Sequence, residues 1–349
     1  MANVLRVGVL DDTAEGPADE LPATQAVIRT VLDDHVAAGR VEGPVELVVA
    51  YGLGLPAGSA AAVERAYEEL VAQDVLLIIG PAIGDDALVA VPLAERHRVP
   101  TIQWSGTERA RGEWLFQLQV GSHEDESVVL ARHLLARGCG RAAVVFDDSP
   151  IGRRHLDFFV AEAHALGLGL GRTVAVHPLA EEADAEVTSV LGPGADVLVY
   201  FGLGLSAPAV AAAARLQGFA GPRVMNTAGM RGHLPGWAER LDGWTYVDMY
   251  ADDNQVLAAA HRRLGGADRS GPFVAFGWDL GQLAAEGLAR APEPTRSGVR
   301  DGLERVKWLP AAEGHDGTLL GFGHHQRGAL QGRYLVLREW RDGSSVQVD

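Results

Sequence analysis

Six aspartates stand in three adjacent pairs, each just beyond an apolar run: Asp11-Asp12 after Arg6–Leu10, Asp85-Asp86 after Val75–Ile79 and its Gly80-Pro81 turn, and Asp147-Asp148 after Arg141–Phe146. Carboxylates gathered at the ends of strands could act as general acid and base. The same residue at the same place is also what a helix start prefers. An aspartate oxygen accepts the free N–H groups of the first turn, and its charge suits the positive end of the helix dipole. For Asp11, Asp12 and Asp85 both readings stay open. Other chemistry has thinner support. His315, His324 and His325 lack helical i, i+4 spacing, and adjacent histidines on an extended segment point to opposite faces. They read as surface or hinge residues, and no metal site is expected. Cys139 is the one cysteine, set between two glycines, which excludes an intrachain disulfide or a thiolate cluster.

Gly202-Leu203-Gly204-Leu205-Ser206-Ala207 follows a strand and precedes a helix, the formal pattern of a dinucleotide-binding turn. Gly52-Leu53-Gly54-Leu55-Pro56-Ala57 matches it as well, and no acid ends the next strand, where Met225-Asn226-Thr227 stands. No nicotinamide, flavin or other cofactor is therefore expected. No nucleophile elbow, Ser-His-Asp order or phosphate-binding Walker loop is visible.

The elements that must position these residues centre on 75–107. Val75–Ile79 is too short for a helix and reads as a strand buried on both faces. Asp85-Asp86 stands where an N-cap would, and Leu88, Val91, Leu93 and Ala94 give the helix its apolar stripe. Val99-Pro100 stops that helix, and Thr101–Gln103 is a second strand. In open α/β sheets ligands bind beyond the carboxyl ends of the strands, so the site is expected on these two loops. Ser59 is expected to cap a helix with Val63, Ala66, Tyr67, Leu70 and Val71 inward. Helix and strand then alternate from His123 onward through strands at 141–146, 173–177, 197–201, 223–225 and 244–250. Three helices follow at 252–264, 273–290 and 296–306, and a last strand at 332–339. This pattern predicts two doubly wound, three-layer α/β lobes.

The chain has 349 residues, 47% of them hydrophobic and 22% charged, with a formal net charge of −16. Lys307 is the only lysine, and no basic cluster occurs, which argues against nucleic acid and anionic membranes as partners. No run approaches the length of a membrane span. The sequence enters a strand almost at once, without a basic region or a long apolar stretch, so a cytoplasmic location is expected. The alternative is export after loss of a leader.

Taken together, the sequence resembles the type I periplasmic binding protein superfamily, in particular its branched-chain amino acid and amide receptors. The carriers are Val7-Gly8-Val9-Leu10 with Gly16-Pro17, Val45-Glu46-Leu47-Val48-Val49, Ile78-Ile79-Gly80-Pro81, Val99-Pro100-Thr101-Ile102, Val144-Val145-Phe146-Asp147-Asp148 with Ile151-Gly152-Arg153, and Gly271-Pro272-Phe273-Val274-Ala275-Phe276-Gly277-Trp278-Asp279. The resemblance implies lobes at 1–119 plus 252–319 and at 122–247 plus 324–349. It implies three hinge crossings, near 119–122, 248–251 and 320–323. The ligand-gripping positions fall at Gly84 with Asp85, at Ser105 and Thr107, near Leu21, at Leu203-Gly204, at Ala228, and at Phe276 or Trp278. Trp104, directly before Ser105, is assigned as an apolar shelf. The family commonly carries acids at Asp147-Asp148 without chemistry, so these are assigned to capping.

The resemblance implies a solute-binding protein that closes over a small molecule by hinge motion. The acid that usually meets an α-ammonium is replaced by Ala228, and the covering aromatic by Leu203-Gly204. The expected ligand is therefore larger, ring-bearing or apolar, and neutral or cationic, instead of a free aliphatic amino acid. The expected partner is a transporter if the protein is exported, or a regulated protein if it is a cytoplasmic sensor; the oligomeric state is left open. The alternative from another class is an enzyme with Asp85, Asp11 or Asp12 as acid or base.

Overall fold

The computed structural model describes residues 4–17, 23–192, 194–265 and 271–348. Leu21 lies outside them. The chain divides into two compact units, residues 1–120 with 250–334 and residues 121–249 with 335–349.

Unit 1 begins with β1 (Leu5–Asp11), α1 (Ala23–Ala37), β2 (Val45–Tyr51), α2 (Ala60–Ala72), β3 (Leu77–Ile79), α3 (Gly84–His97), β4 (Thr101–Gln103) and β5 (Leu115–Gln117). Its sheet runs β2-β1-β3-β4-β5, and every pair is parallel. All residues of β3, β4 and β5 are buried, as strands covered on both faces must be. Leu10 and Ile78 pack in one core with Val63, Tyr67 and Leu70 of α2 and Ala87 and Ala90 of α3. The alternate residues Val9, Leu77 and Ile79 are buried too, so the sheet is covered on its other side. Ser59 caps α2 as expected, accepting the Ala62 N–H at 3.3 Å.

Unit 2 takes up α4 (His123–Ala136), β6 (Arg141–Asp147), α5 (Pro150–Leu166), β7 (Gly169–Val176), α6 (Asp184–Val190), β8 (Val197–Phe201), α7 (Ala207–Leu216), β9 (Arg223–Met225) and β10 (Thr245–Asp248). Strand alternation divides its core in two. Ala143, Val145, Leu198 and Tyr200 face Val187, Val210 and Trp244. Val144, Phe146, Val199 and Phe201 face Leu130, Leu134 and Phe159. Side chains one residue apart point to opposite faces, which makes this unit three layers deep.

The chain then returns to unit 1 for α8 (Gln255–Arg263), α9 (Gly271–Ala289), α10 (Arg296–Glu304) and the short strands β11 (Leu309–Pro310), β12 (Leu319–Leu320) and β13 (Leu330–Gln331), which form an antiparallel sheet of their own. Helices α1 and α9 lie close because α9 has glycines at the contact. A Cβ on Gly277 would sit 2.7 Å from Val27 Cβ, and one on Gly281 would sit 2.8 Å from Val31 Cβ. The chain ends in unit 2 with the hairpin β14 (Val336–Arg341) and β15 (Ser344–Gln347), giving the sheet order β15-β14-β10-β9-β8-β6-β7.

Two features depart from the sequence expectations. The third passage between units lies at 334–335, not near 320–323. Residues 319–331 stay in unit 1 because β12 pairs with β11 and β13, and because Gln119 holds both backbone groups of Leu330 at 2.9 and 3.1 Å. A short pairing of this kind leaves no periodic signal in sequence. Second, Asp85 and Asp86 do not cap α3. They lie inside its first turn, and the N-cap position is Ile83, which makes no side-chain cap bond.

Candidate functional site

In unit 1 the strand order reverses between β1 and β3, the place where open α/β sheets bind ligands. Asp12 follows β1 and is buried. Its two oxygens accept the Ala82 and Ile83 N–H groups, each at 2.8 Å, so Asp12 supplies the cap that α3 lacks at its own N-cap residue. Asp86 faces it from α3, wholly buried, and accepts the Leu55 N–H at 3.0 Å. Burial raises both acids, Asp12 to about 6 and Asp86 to about 8; the Leu55 bond opposes the rise at Asp86 and the charge of Asp12 adds to it. Burial of two facing carboxyls favours the protonated form of one of them. Asp11 is half-buried, accepting the Thr13 N–H and hydroxyl at 3.0 and 2.8 Å and the Gln25 amide at 3.4 Å. Asp85 is half-buried in the first turn of α3.

Gly84, Ser105 and Thr107 converge. A Cβ built on Gly84 would lie 3.3 Å from Thr107 Cγ2 and 3.7 Å from Ser105 Oγ. Gln103, at the end of β4, organises this loop. Its Oε1 accepts both the Ser105 N–H at 2.9 Å and the Ser105 hydroxyl at 2.7 Å. Gln117 Nε2 holds the Ser105 carbonyl at 2.6 Å. The single proton of the Ser105 hydroxyl is thus directed at Gln103, and what Ser105 has left to offer is an acceptor lone pair. Trp104 is half-buried, its N–H on the Pro81 carbonyl at 3.1 Å. Its ring lies 5.8 Å from that of buried Phe276, which meets Phe273 edge-on at 6.5 Å. Trp278 instead packs with Leu257 and Ala260 of α8, so Phe276 is the aromatic that joins Trp104.

Unit 2 brings Leu203, Gly204 and Ala228 together. The Leu203 N–H donates to Asp147 Oδ2 at 2.7 Å, and Asn226 bonds both backbone groups of Gly202, at 3.2 and 2.9 Å. Gly204 has φ +93°, where a side chain is strained, and a Cβ there would lie 2.8 Å from the Ala228 carbonyl and 3.0 Å from Arg231 Cδ. The missing side chain at 204 is room that Arg231 occupies. Arg231 Nε donates to the Leu203 carbonyl at 2.7 Å. Burial lowers the pKa of its guanidinium, and the nearby Tyr200 and Asp147 oppose that shift. The charge persists at neutral pH. Beside this loop, fully buried Glu126 accepts the Ser122 and Thr227 N–H groups, both at 2.7 Å, with His155 Nε2 3.6 Å away.

Sequence reasoning missed Gln103, Glu126 and Arg231, and read Asp86 only as one of a pair of cap or acid–base candidates. Gln103 could have been suspected as a polar residue inside a buried strand. A single arginine on an irregular turn carries no comparable mark. Among the described residues, no group of three or more His, Cys, Asp or Glu side chains is arranged for a metal. His315 is buried, 3.6 Å from Asp253, and not at the surface, because Thr318 and Arg333 fold over it.

These features define a two-unit α/β solute-binding fold with the carboxyl-end loops of each sheet built for contact. The chain belongs to the periplasmic binding protein family, whose model matches residues 4–336. It therefore belongs among proteins that bind a small-molecule ligand. Its fold is similar to that of a leucine binding protein from Thermotoga maritima (17% identity, 99% of this chain and 98% of that one, TM-score 0.82). It is also similar to an ABC transporter substrate-binding protein from Desulfitobacterium hafniense in complex with Leu (16%, 99% and 100%, 0.80) and to an extracellular ligand-binding receptor from Rhodopseudomonas palustris (15%, 99% and 100%, 0.78). No curated protein sequence matches the chain. Among the described residues no helix is long and apolar enough to cross a membrane.

Proposed function

We propose that the protein is a receptor for a small, ring-bearing solute and closes over it about the passages between its units, as the resemblance to type I receptors implies. The observation that carries this reading is the half-buried Trp104 ring beside Phe276, on the loop where Gly84, Ser105 and Thr107 converge. A flat apolar wall with few polar groups suits a ring better than a branched aliphatic chain. The leucine-binding proteins of similar fold make leucine the natural competitor for this role. Against leucine stands the ammonium, which needs a carboxylate on leaving water. Ala228 takes the place of the usual acid, and the nearby Glu126 is committed to two backbone N–H groups. The expectation of a neutral or cationic ligand rested on that same loss; Arg231 argues for the opposite charge.

Membership in a family described as periplasmic gives the cytoplasmic expectation no support and suits the alternative, export and delivery to a membrane transporter. The reading as an acid–base enzyme is weakened at Asp12, whose two oxygens are both spent on the backbone ahead of α3. A thermal-shift screen tests the receptor reading. A solute at 100-fold excess over its Kd adds about 2.7 kcal/mol of stability, which reads as several degrees. Aromatic compounds are expected to raise Tm, with leucine, isoleucine and valine inert at micromolar concentration. Stabilisation by those three alone would overturn it.

A further inference from the structure

Arg231 is the charged side chain that the fold does not account for. Its Nε holds the Leu203 carbonyl, and that is the whole of its hydrogen bonding among the described residues. No carboxylate lies within ion-pair distance of it among those residues. The two candidate acids of unit 2 are engaged elsewhere. Asp147 takes the Leu203 N–H and the Ser149 hydroxyl, and Glu126 takes the Ser122 and Thr227 N–H groups. A guanidinium drawn partly out of water with no carboxylate in direct contact, and only the more distant field of Asp147 and Tyr200, leaves its outer N–H groups to be met by something else. The glycine at 204, with its positive φ, is what lets this side chain lie against the loop after β8.

We infer that Arg231 sets the specificity of unit 2 and that the solute presents a carboxylate to it, so that the ligand is a ring-bearing carboxylic acid. This rests on the receptor reading above and adds the charge of the ligand to it. With Nε occupied, Nη1 and Nη2 remain as a two-donor edge, the geometry that matches a carboxylate bidentately. A chain with a net charge of −16 disfavours anions on average, so binding one calls for a cation held in place. A carboxylate held by Arg231 reverses the polarity expected for an amino acid, whose carboxylate the resemblance places at Ser105 and Thr107.

The test is calorimetric titration of the whole protein with 3-phenylpropionate, 3-phenylpropionamide and 3-phenylpropylamine, which carry a carboxylate, a neutral amide and an ammonium on the same phenyl-bearing three-carbon chain. The wild-type protein is expected to prefer the acid to the amide by about 10- to 100-fold and to bind the amine least. Arg231→Gln is expected to abolish that preference, and Arg231→Lys, which keeps the charge without the fork, to retain part of it. A merely structural role would weaken acid and amide equally and leave their ratio unchanged, which would overturn the inference. Amide or amine binding as tightly as the acid to the wild type would also overturn it while leaving the ring-binding receptor intact. Silence from all three probes, with the protein folded by circular dichroism, would count against both.

Discussion

Unit 1 and unit 2 meet the same local problem with the same residue type and then part company. In each, a buried aspartate at the end of the first strand reaches across to the loop after the third. Asp12 takes the Ala82 and Ile83 N–H groups, and Asp147 takes the Leu203 N–H. The strap fixes the loop that carries the candidate contacts, Gly84 in one unit and Leu203-Gly204 in the other. What lies behind the strap differs. Asp12 faces a second buried carboxyl, Asp86, and burial raises both; Asp147 faces the Ser149 hydroxyl and lies in the field of Arg231. Unit 1 thus quenches its charge and offers aromatic rings and hydroxyl lone pairs, whereas unit 2 keeps a cation. Two loops of one topology can in this way be given opposite chemistry by the residues just beneath them.

The largest expected effect breaks the symmetry of the straps. Both oxygens of Asp12 accept backbone N–H groups, so Asp12→Asn must turn its NH2 toward one of them, leaving a buried donor unpaired. A loss of about 2–4 kcal/mol is expected in urea unfolding. Asp147→Asn should cost only about 1 kcal/mol, because the Ser149 hydroxyl can rotate and accept from the new amide. Equal losses, or the reverse order, would mean that the two straps are not bonded as described.

The next effect isolates the buried pair. Acids raised in the folded state add stability that is complete below the ordinary aspartate range and is lost as pH rises through their folded pKa, here about 6 for Asp12 and about 8 for Asp86. Asp147 and Asp279 are raised by burial and act in the same sense, so the difference from a variant is the useful quantity. Wild-type stability should fall between pH 5 and 9 by about 2 kcal/mol more than that of Asp86→Asn, which needs no proton to stay neutral. Parallel curves would show that the pair does not hold one.

The smallest effect on folding is expected at Trp104. Its ring is half-buried and touches Phe276, so Trp104→Ala should change the unliganded stability by less than about 1 kcal/mol while weakening an aromatic solute about 10-fold or more. A large loss of stability without ligand would make Trp104 a core residue of unit 1 and remove the shelf.

The fold was legible because its signals are local and repeated. Apolar runs of five to seven residues, each ended by Gly, Pro or Asp, mark β1, β3, β6 and β8, and the helices between them keep clear spacing. Ser105, Thr107, Gly84 and Trp104 could be singled out because they lie within five residues of the ends of β3 and β4. The roles of Asp86 and Arg231 were not legible, since they depend on partners 31 and 28 residues away, and Gln103 was passed over as one residue of a buried strand. The short strands β11, β12 and β13 are two residues each, below any periodicity, and the third passage between units moved with them.

Native mass spectrometry tests the central claim most directly. The protein would be equilibrated with equal concentrations of 3-phenylpropionate and leucine, desalted and sprayed intact. The account predicts one molar equivalent of the aromatic acid, retained at unchanged mass and displaced from Trp104→Ala. Retention of leucine in its place, or recovery of the acid in a chemically altered form, would contradict it.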